Sequence, residues 1–209
     1  QLDEKNRGFS YLGNNELDMR MDQTQSLSAK EVVNTYKEEN LARIIYEYGE
    51  EKFSRVIARK IVEYRKTKEI ETTEELVNII ESVIPYRKGE GHPAKRTFQA
   101  IRIEVNNEIE PLYKTVMDSI DYLKPGGRLC ILTFHSLEDR AVKNAFQDAQ
   151  GKCICPPGLP YCACGAISKG KIITKKPMIP SEKEQNENSR SKSAKLRIFE
   201  RKEVRTYGK

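Results

Sequence analysis

The 209-residue chain carries 37 Lys/Arg against 31 Asp/Glu, is 37% hydrophobic and 33% charged, and contains no tryptophan. That balance predicts a soluble cytoplasmic protein and argues against a membrane or secreted one, and the longest apolar run, Leu129 to Phe134, is interrupted by a threonine and far too short to span a bilayer. The basic excess is C-terminal, with 13 Lys/Arg and 5 Asp/Glu in residues 165 to 209, a segment that suits a polyanion such as nucleic acid or a solvated tail.

The chain opens on QLDEKNRGFSY, with neither an initiator methionine nor a secretory signal, and is therefore read as a fragment or a processed product. Helical signals follow. Ser28 with Glu31 three residues later forms a capping box. Leu41, Ile44, Ile45 and Tyr48 share an apolar face that Gly49 ends. Phe53, Ile57, Ile61 and Tyr64 form the next face, and a start at Thr72 or Thr73 leads into Leu76, Ile79, Ile80 and Val83 before Pro85 stops the helix.

After the loop YRKGEGHP comes the longest periodicity of the chain, Phe98, Ile101, Val105, Ile109, Leu112, Val116, Ile120 and Leu123, spaced by three and four. Pro111 would remove a hydrogen bond in mid-helix, so a kink or restart is expected between Asn106 and Pro111. LKPGG then turns into a strand from Arg128 to Phe134, with Cys130 expected in the core, and residues 137 to 150 read as helix. KIITKKPMIP and SAKLRIFERKE read as two further strands, separated by polar SEKEQNENSRSKS.

Helix, strand, helix, strand, strand is an α/β ending, yet three strands cannot make a doubly wound sheet, and no glycine-rich strand-to-helix turn occurs in the sequence. The fold expected is the latter part of a Rossmann-like α/β domain beside a helical block at about residues 10 to 107.

Three groups of residues invite a chemical reading. His135 and Ser136 lie at the carboxyl end of the Arg128 strand, where open α/β sheets bind ligands, with Glu138 and Arg140 in the first turn that follows. Ser136 doubles as a candidate helix cap, Asp139 being at capping-box distance. The Lys95 helix bears a polar line of Lys95, Gln99, Arg102 and Asn106, whose guanidinium and amide groups can bond phosphates and base edges, a solvated face being the alternative. Lys52, Arg55, Arg59 and Lys66 make a purely cationic stripe that reads as solvent exposure. Finally, CICPPGLPYCACG sets Cys153, Cys155, Cys162 and Cys164 about a proline-glycine turn, a thiolate set suited to structural zinc ahead of a redox role.

Five blocks, RGFSY to LDMRMD, IIYEYGEEKFSRVIARKIV, HPAKRTFQAIRIEVNNE, PGGRLCILTFHSLEDRAVK and SRSKSAKLRIFER, resemble the bacterial 16S rRNA cytosine-N4 methyltransferases, the ribosomal RNA small subunit methyltransferase H family. They are long, in order and cover nearly the whole chain outside the cysteine loop. The resemblance implies an S-adenosylmethionine-dependent Rossmann-like methyltransferase domain with an inserted all-helical substrate-recognition domain. On that reading residues 1–9 end the first half of the methyltransferase domain, 10–107 are the insert, and 108–209 complete the domain, with the cysteine loop at 153–164.

The family's glycine-rich turn would lie upstream, so that of the cofactor site only Gln1, matching the glutamine of the family's SSPQLD segment, carries over. The implied reaction methylates the exocyclic N4 amine of a cytidine in the decoding region. Its partner is 16S rRNA in the small ribosomal subunit; no membrane is involved, and the oligomeric state is open, a homodimer included. The amine lone pair is conjugated into the ring, so the expected task is to accept from its N–H groups and hold it in line with the methyl donor, the cytosine unstacked. His135, Ser136 and Glu138 are expected at the pocket wall and Arg96, Gln99, Arg102 and Asn106 on a facing helix, with Arg140 also on the substrate side. This chain alone is expected to be inactive. The alternatives are a zinc-stabilised RNA-binding module without catalysis and a helical scaffold, neither of which accounts for the family blocks.

Overall fold

The computed structural model describes residues 7–84, 91–151, 154–156 and 163–206, and the chain divides into two compact units, 1–108 and 109–209. The first is helical. Its helices are α1 (Ala29–Thr35), α2 (Glu38–Glu47), α3 (Ser54–Arg65), α4 (Thr73–Glu81) and α5 (Ala94–Asn106). Two start on capping boxes: α1 on Ser28 with Glu31, as the sequence predicts, and α4 on Thr72 with Glu75, which settles the start expected at Thr72 or Thr73. In each, the hydroxyl and the carboxylate satisfy amides that the first turn leaves without partners.

The apolar faces of these helices converge on one core, in which Leu41, Ile44, Ile57, Ile61, Leu76, Ile80 and Ile101 are fully buried. The segment LDMRMD packs against it. Leu17 and Met19 enter the core, and Met19 holds φ of 58°, a left-handed conformation costly for a residue with a Cβ. Asn106 of α5 pins that bend from both sides: its Nδ2 donates to Met19 O at 2.8 Å and its Oδ1 accepts from Met21 N at 2.6 Å.

The long periodic stretch is two helices. α5 ends at Asn107, which is left-handed (φ 46°), and α6 (Glu110–Tyr122) starts with Pro111 in its first turn, where a missing N–H costs nothing. The restart thus falls inside the expected window.

The second unit is mixed α/β. It contains α6, β1 (Arg128–Thr133), α7 (Ser136–Gln150), β2 (Ile167–Ile172), α8 (Glu182–Glu187), a 3-10 turn (Ser189–Ser193) and β3 (Lys195–Thr206). The sheet order is β1-β3-β2, with β3 antiparallel to both neighbours. β1 and β2 are therefore parallel to each other, their carboxyl ends on the same edge. Leu129, Ile131, Ile172 and Phe199 point to one face and pack on α6 and α7 around Val116, Ile120, Val142 and Phe146, the Phe146 and Phe199 rings 5.3 Å apart.

Two expectations need correction here. Cys130 is exposed, because strand alternation puts it with Leu132 on the face opposite the helices. The segment expected as a strand from Lys171 onward pairs only to Ile172; the strand begins earlier, at Ile167, and Met178 returns as an isolated bridge to Leu196. The polar SEKEQNENSRSKS stretch is structured as α8, capped by the Ser181 hydroxyl on Glu184 N, and the 3-10 turn. Pro85, expected as a helix stop, lies outside the described residues, α4 having ended at Glu81.

Candidate active site

β1 delivers the chain to a sharp joint. The strand ends at Thr133, the backbone at His135 is extended (φ −140°, ψ 167°), and α7 begins at Ser136. His135, not Ser136, is the N-cap. Its Nδ1 accepts from Glu138 N at 3.4 Å, while Glu138 Oε2 accepts from Phe134 N at 2.8 Å and from His135 N at 3.3 Å. The capping box is therefore His135 with Glu138 and not Ser136 with Asp139: an imidazole nitrogen does the accepting, and glutamate reaches the cap amide from the third position.

Two consequences follow for charge and protonation. An accepting Nδ1 leaves the proton of neutral His135 on Nε2, which lies 3.4 Å from Glu138 Oε1. The Glu138 carboxylate, fixed by two backbone amides at the positive end of α7, is an oriented acceptor and the His135 ring is held against it. Ser136 is half-buried in the first turn and Arg140 is exposed one turn along.

Asp139, beside this joint, is buried and grips Arg197 of β3 through both oxygens, Oδ1 to Nε at 2.6 Å and Oδ2 to Nη2 at 3.0 Å. Lys195 Nζ approaches the same carboxylate at 3.7 Å. The hydrogen-bonded guanidinium holds the Asp139 carboxyl below the usual aspartate range against the opposing effect of burial. Arg197 carried no sequence-based expectation. The only signal was a cation in an otherwise apolar strand stretch, Leu196-Arg197-Ile198-Phe199, where alternation makes it face inward and require a partner.

On α5 the polar line is bonded within its own unit. Gln99 Nε2 donates to Tyr48 O at 2.9 Å, and Arg102 makes a two-point pair with Glu108 at 2.9 and 3.0 Å. Asn106 holds the Met19 bend, and Arg96, largely exposed, donates to Glu50 O at 3.3 Å. Lys95 is exposed.

Of the cysteines, Cys153 and Cys162 lie outside the described residues, as does Gln1. Cys155 is half-buried and its Sγ accepts from Ala163 N at 3.2 Å, which brings it against the backbone next to Cys164. Cys164 is exposed. The described residues offer no cradle that fits an adenosyl group, since none of their strands turns into a helix through a glycine-rich loop.

A family model, described as the MraW methylase family, matches residues 1–202. The chain belongs to that family. Similar curated proteins include the ribosomal RNA small subunit methyltransferase H 2 of Agathobacter rectalis, 55% identical over 98% of this chain and 66% of its own length. Ribosomal RNA small subunit methyltransferase H of Lachnospira eligens is 56% identical over 96% of this chain and 64% of its own, and that of Clostridium botulinum (strain Kyoto) 58% identical over 95% and 64%. The chain thus spans just under two thirds of the length of these curated relatives, 66% or less. No helix among the described residues is long and apolar enough to cross a membrane.

Proposed function

We propose that this chain is part of an enzyme that transfers a methyl group from S-adenosylmethionine to the exocyclic N4 amine of a cytidine in the decoding region of 16S rRNA. The observation that carries the reading is the family match over residues 1–202 together with relatives named for small-subunit rRNA methylation. The reading makes the small ribosomal subunit the partner and the cytoplasm the location.

In this reading S-adenosylmethionine supplies the electrophilic methyl, and residues of this chain act on the acceptor side. The oriented Glu138 carboxylate and the His135 ring accept from or position the amine N–H groups, Ser136 and Arg140 border them, and Arg96, Gln99, Arg102 and Asn106 belong to the substrate-recognition part. Gln1 would touch the cofactor. Because the glycine-rich turn is absent from the sequence, residues 1–209 by themselves bind S-adenosylmethionine weakly and do not methylate. Cys153, Cys155, Cys162 and Cys164 hold one structural zinc ion, a reading supported by the bond from Ala163 N to Cys155 Sγ.

The test is mass spectrometry of nucleosides from small-subunit rRNA incubated with S-adenosylmethionine and the protein carrying the glycine-rich turn. N4-methylcytidine at one decoding-region position is expected. Methyl groups found only on carbon 5, or on another base, would overturn the assignment.

A further inference from the structure

Beyond the joint at His135, the second unit has a cleft of about 310 Å³ walled by the last two turns of α7, by β2 and its exit, and by β3. Phe146 and Ile172 give it an apolar part, the buried Arg197 lies in its wall, and Lys143, Lys171, Lys175, Gln147 and Gln150 complete the lining. Among the described residues no carboxylate lines it. Arg197 is committed to Asp139, and Lys171 lies 3.5 Å from Glu200, whereas Lys143 and Lys175 are exposed and in no ion pair among the described residues. Asp148, on the same stretch of α7, is turned to the Tyr113 hydroxyl at 2.7 Å. Two exposed ammonium groups therefore share a concave rim with two amide side chains, donor chemistry that suits an anion and repels a cation.

The position of the cleft bears on what the anion is. β1 and β2 are parallel, so the exit of β2, where Lys171, Ile172 and Lys175 lie, is on the same sheet edge as the His135 joint. Asp139 in the first turn of α7 and Arg197 in the cleft wall are the two halves of one ion pair, so the two places are a single buried contact apart. From His135 to Lys143 is eight residues of α7, or about 12 Å at the α-helical rise. A nucleic-acid strand places successive phosphates at roughly half that spacing. We propose that this cleft is a phosphate subsite for the RNA strand on one side of the methylated nucleotide, with Lys143 and Lys175 as the contacting cations. The subsite rests on the reading that the substrate is RNA.

The experiment compares the 209-residue protein with Lys143→Glu/Lys175→Glu, and with Lys124→Glu/Lys183→Glu, which makes the same change in net charge at exposed lysines elsewhere on the unit. Binding of a single-stranded decoding-region oligoribonucleotide is followed by fluorescence anisotropy across a salt series. The cleft variant is expected to lose about tenfold or more in affinity and to flatten the slope of log K against log salt by roughly one phosphate contact, the control variant to change neither by more than about threefold. Unchanged affinity and slope in the cleft variant, equal losses in both variants, or no binding by the parent chain would each overturn the subsite. Failure of the methylation assay with the expected binding pattern intact would overturn the enzymatic reading and leave the subsite standing.

Discussion

Asp139 on the first turn of α7 and Arg197 on β3 form a buried two-point ion pair, at 2.6 and 3.0 Å, that ties the helix carrying the candidate site to the middle strand of the sheet. Removing Arg197 leaves the buried Asp139 carboxylate only the more distant Lys195 ammonium, at 3.7 Å. Arg197→Ala is expected to lower the stability of the second unit by about 3–5 kcal/mol, whereas Arg197→Met with Asp139→Leu, which removes both charges, should recover most of that loss. Urea unfolding followed by far-UV circular dichroism measures both; equal stabilities of Arg197→Ala and the parent would show that the pair contributes nothing.

The same pair sets an acid limit. The Asp139 pKa is depressed in the folded protein, so its contribution to stability is complete above the unfolded-state value of about 3.9 and is lost as pH falls through the lower folded value. Below pH 4 the second unit should therefore lose stability more steeply in the parent than in the Asp139→Asn variant, whose stability is lower throughout but flatter in that window. Thermal melts between pH 5 and pH 2.5 check this, and parallel curves would contradict it.

His135 caps α7 and is also assigned to the reaction, and the two roles can be separated. His135→Ala should cost about 1 kcal/mol of stability through loss of the cap. His135→Asn, whose side-chain oxygen can accept from Glu138 N, should restore most of that stability but, in the protein carrying the glycine-rich turn, not methyl transfer. If the asparagine variant methylates at the parent rate, His135 is a cap and nothing more.

Asn106 joins α5 to the LDMRMD bend through bonds to Met19 O and Met21 N, and also donates to Arg102 O at 2.8 Å. Asn106→Ala leaves a half-buried carbonyl and an amide without partners and should destabilise the first unit by about 2 kcal/mol. Arg102→Ala gives up the two-point pair with a mostly buried Glu108, and a smaller loss is expected there, since the arginine itself is about one third exposed. If either variant keeps parental stability while losing affinity for RNA, its side chain serves the substrate more than the fold.

Metal in the cysteine loop is decided by elemental analysis of protein purified without chelators. One zinc per chain is expected, with release by a strong chelator freeing thiols to titrate. A metal content near zero with those thiols already titratable would remove zinc from the account.

The sequence by itself determined the helices of the first unit, because apolar residues at three- and four-residue spacing, the Ser28 capping box and the threonine start at Thr72 or Thr73 are local signals that packing did not override. It also placed the restart before Pro111 and the joint after β1, and the family blocks identified the chain's kin. Only the tertiary structure decided what depends on partners distant in sequence. Asn106 and Gln99 read as ligands along a helix, yet their partners are Met19, Met21 and Tyr48, far away in the chain. Cys130 read as core because the strand is apolar, but which face of a strand is covered depends on where the helices lie. Arg197 went unremarked for the same reason: a cation in a strand acquires its meaning from a carboxylate 58 residues earlier, and the sheet order that brings them together is not written in either segment alone.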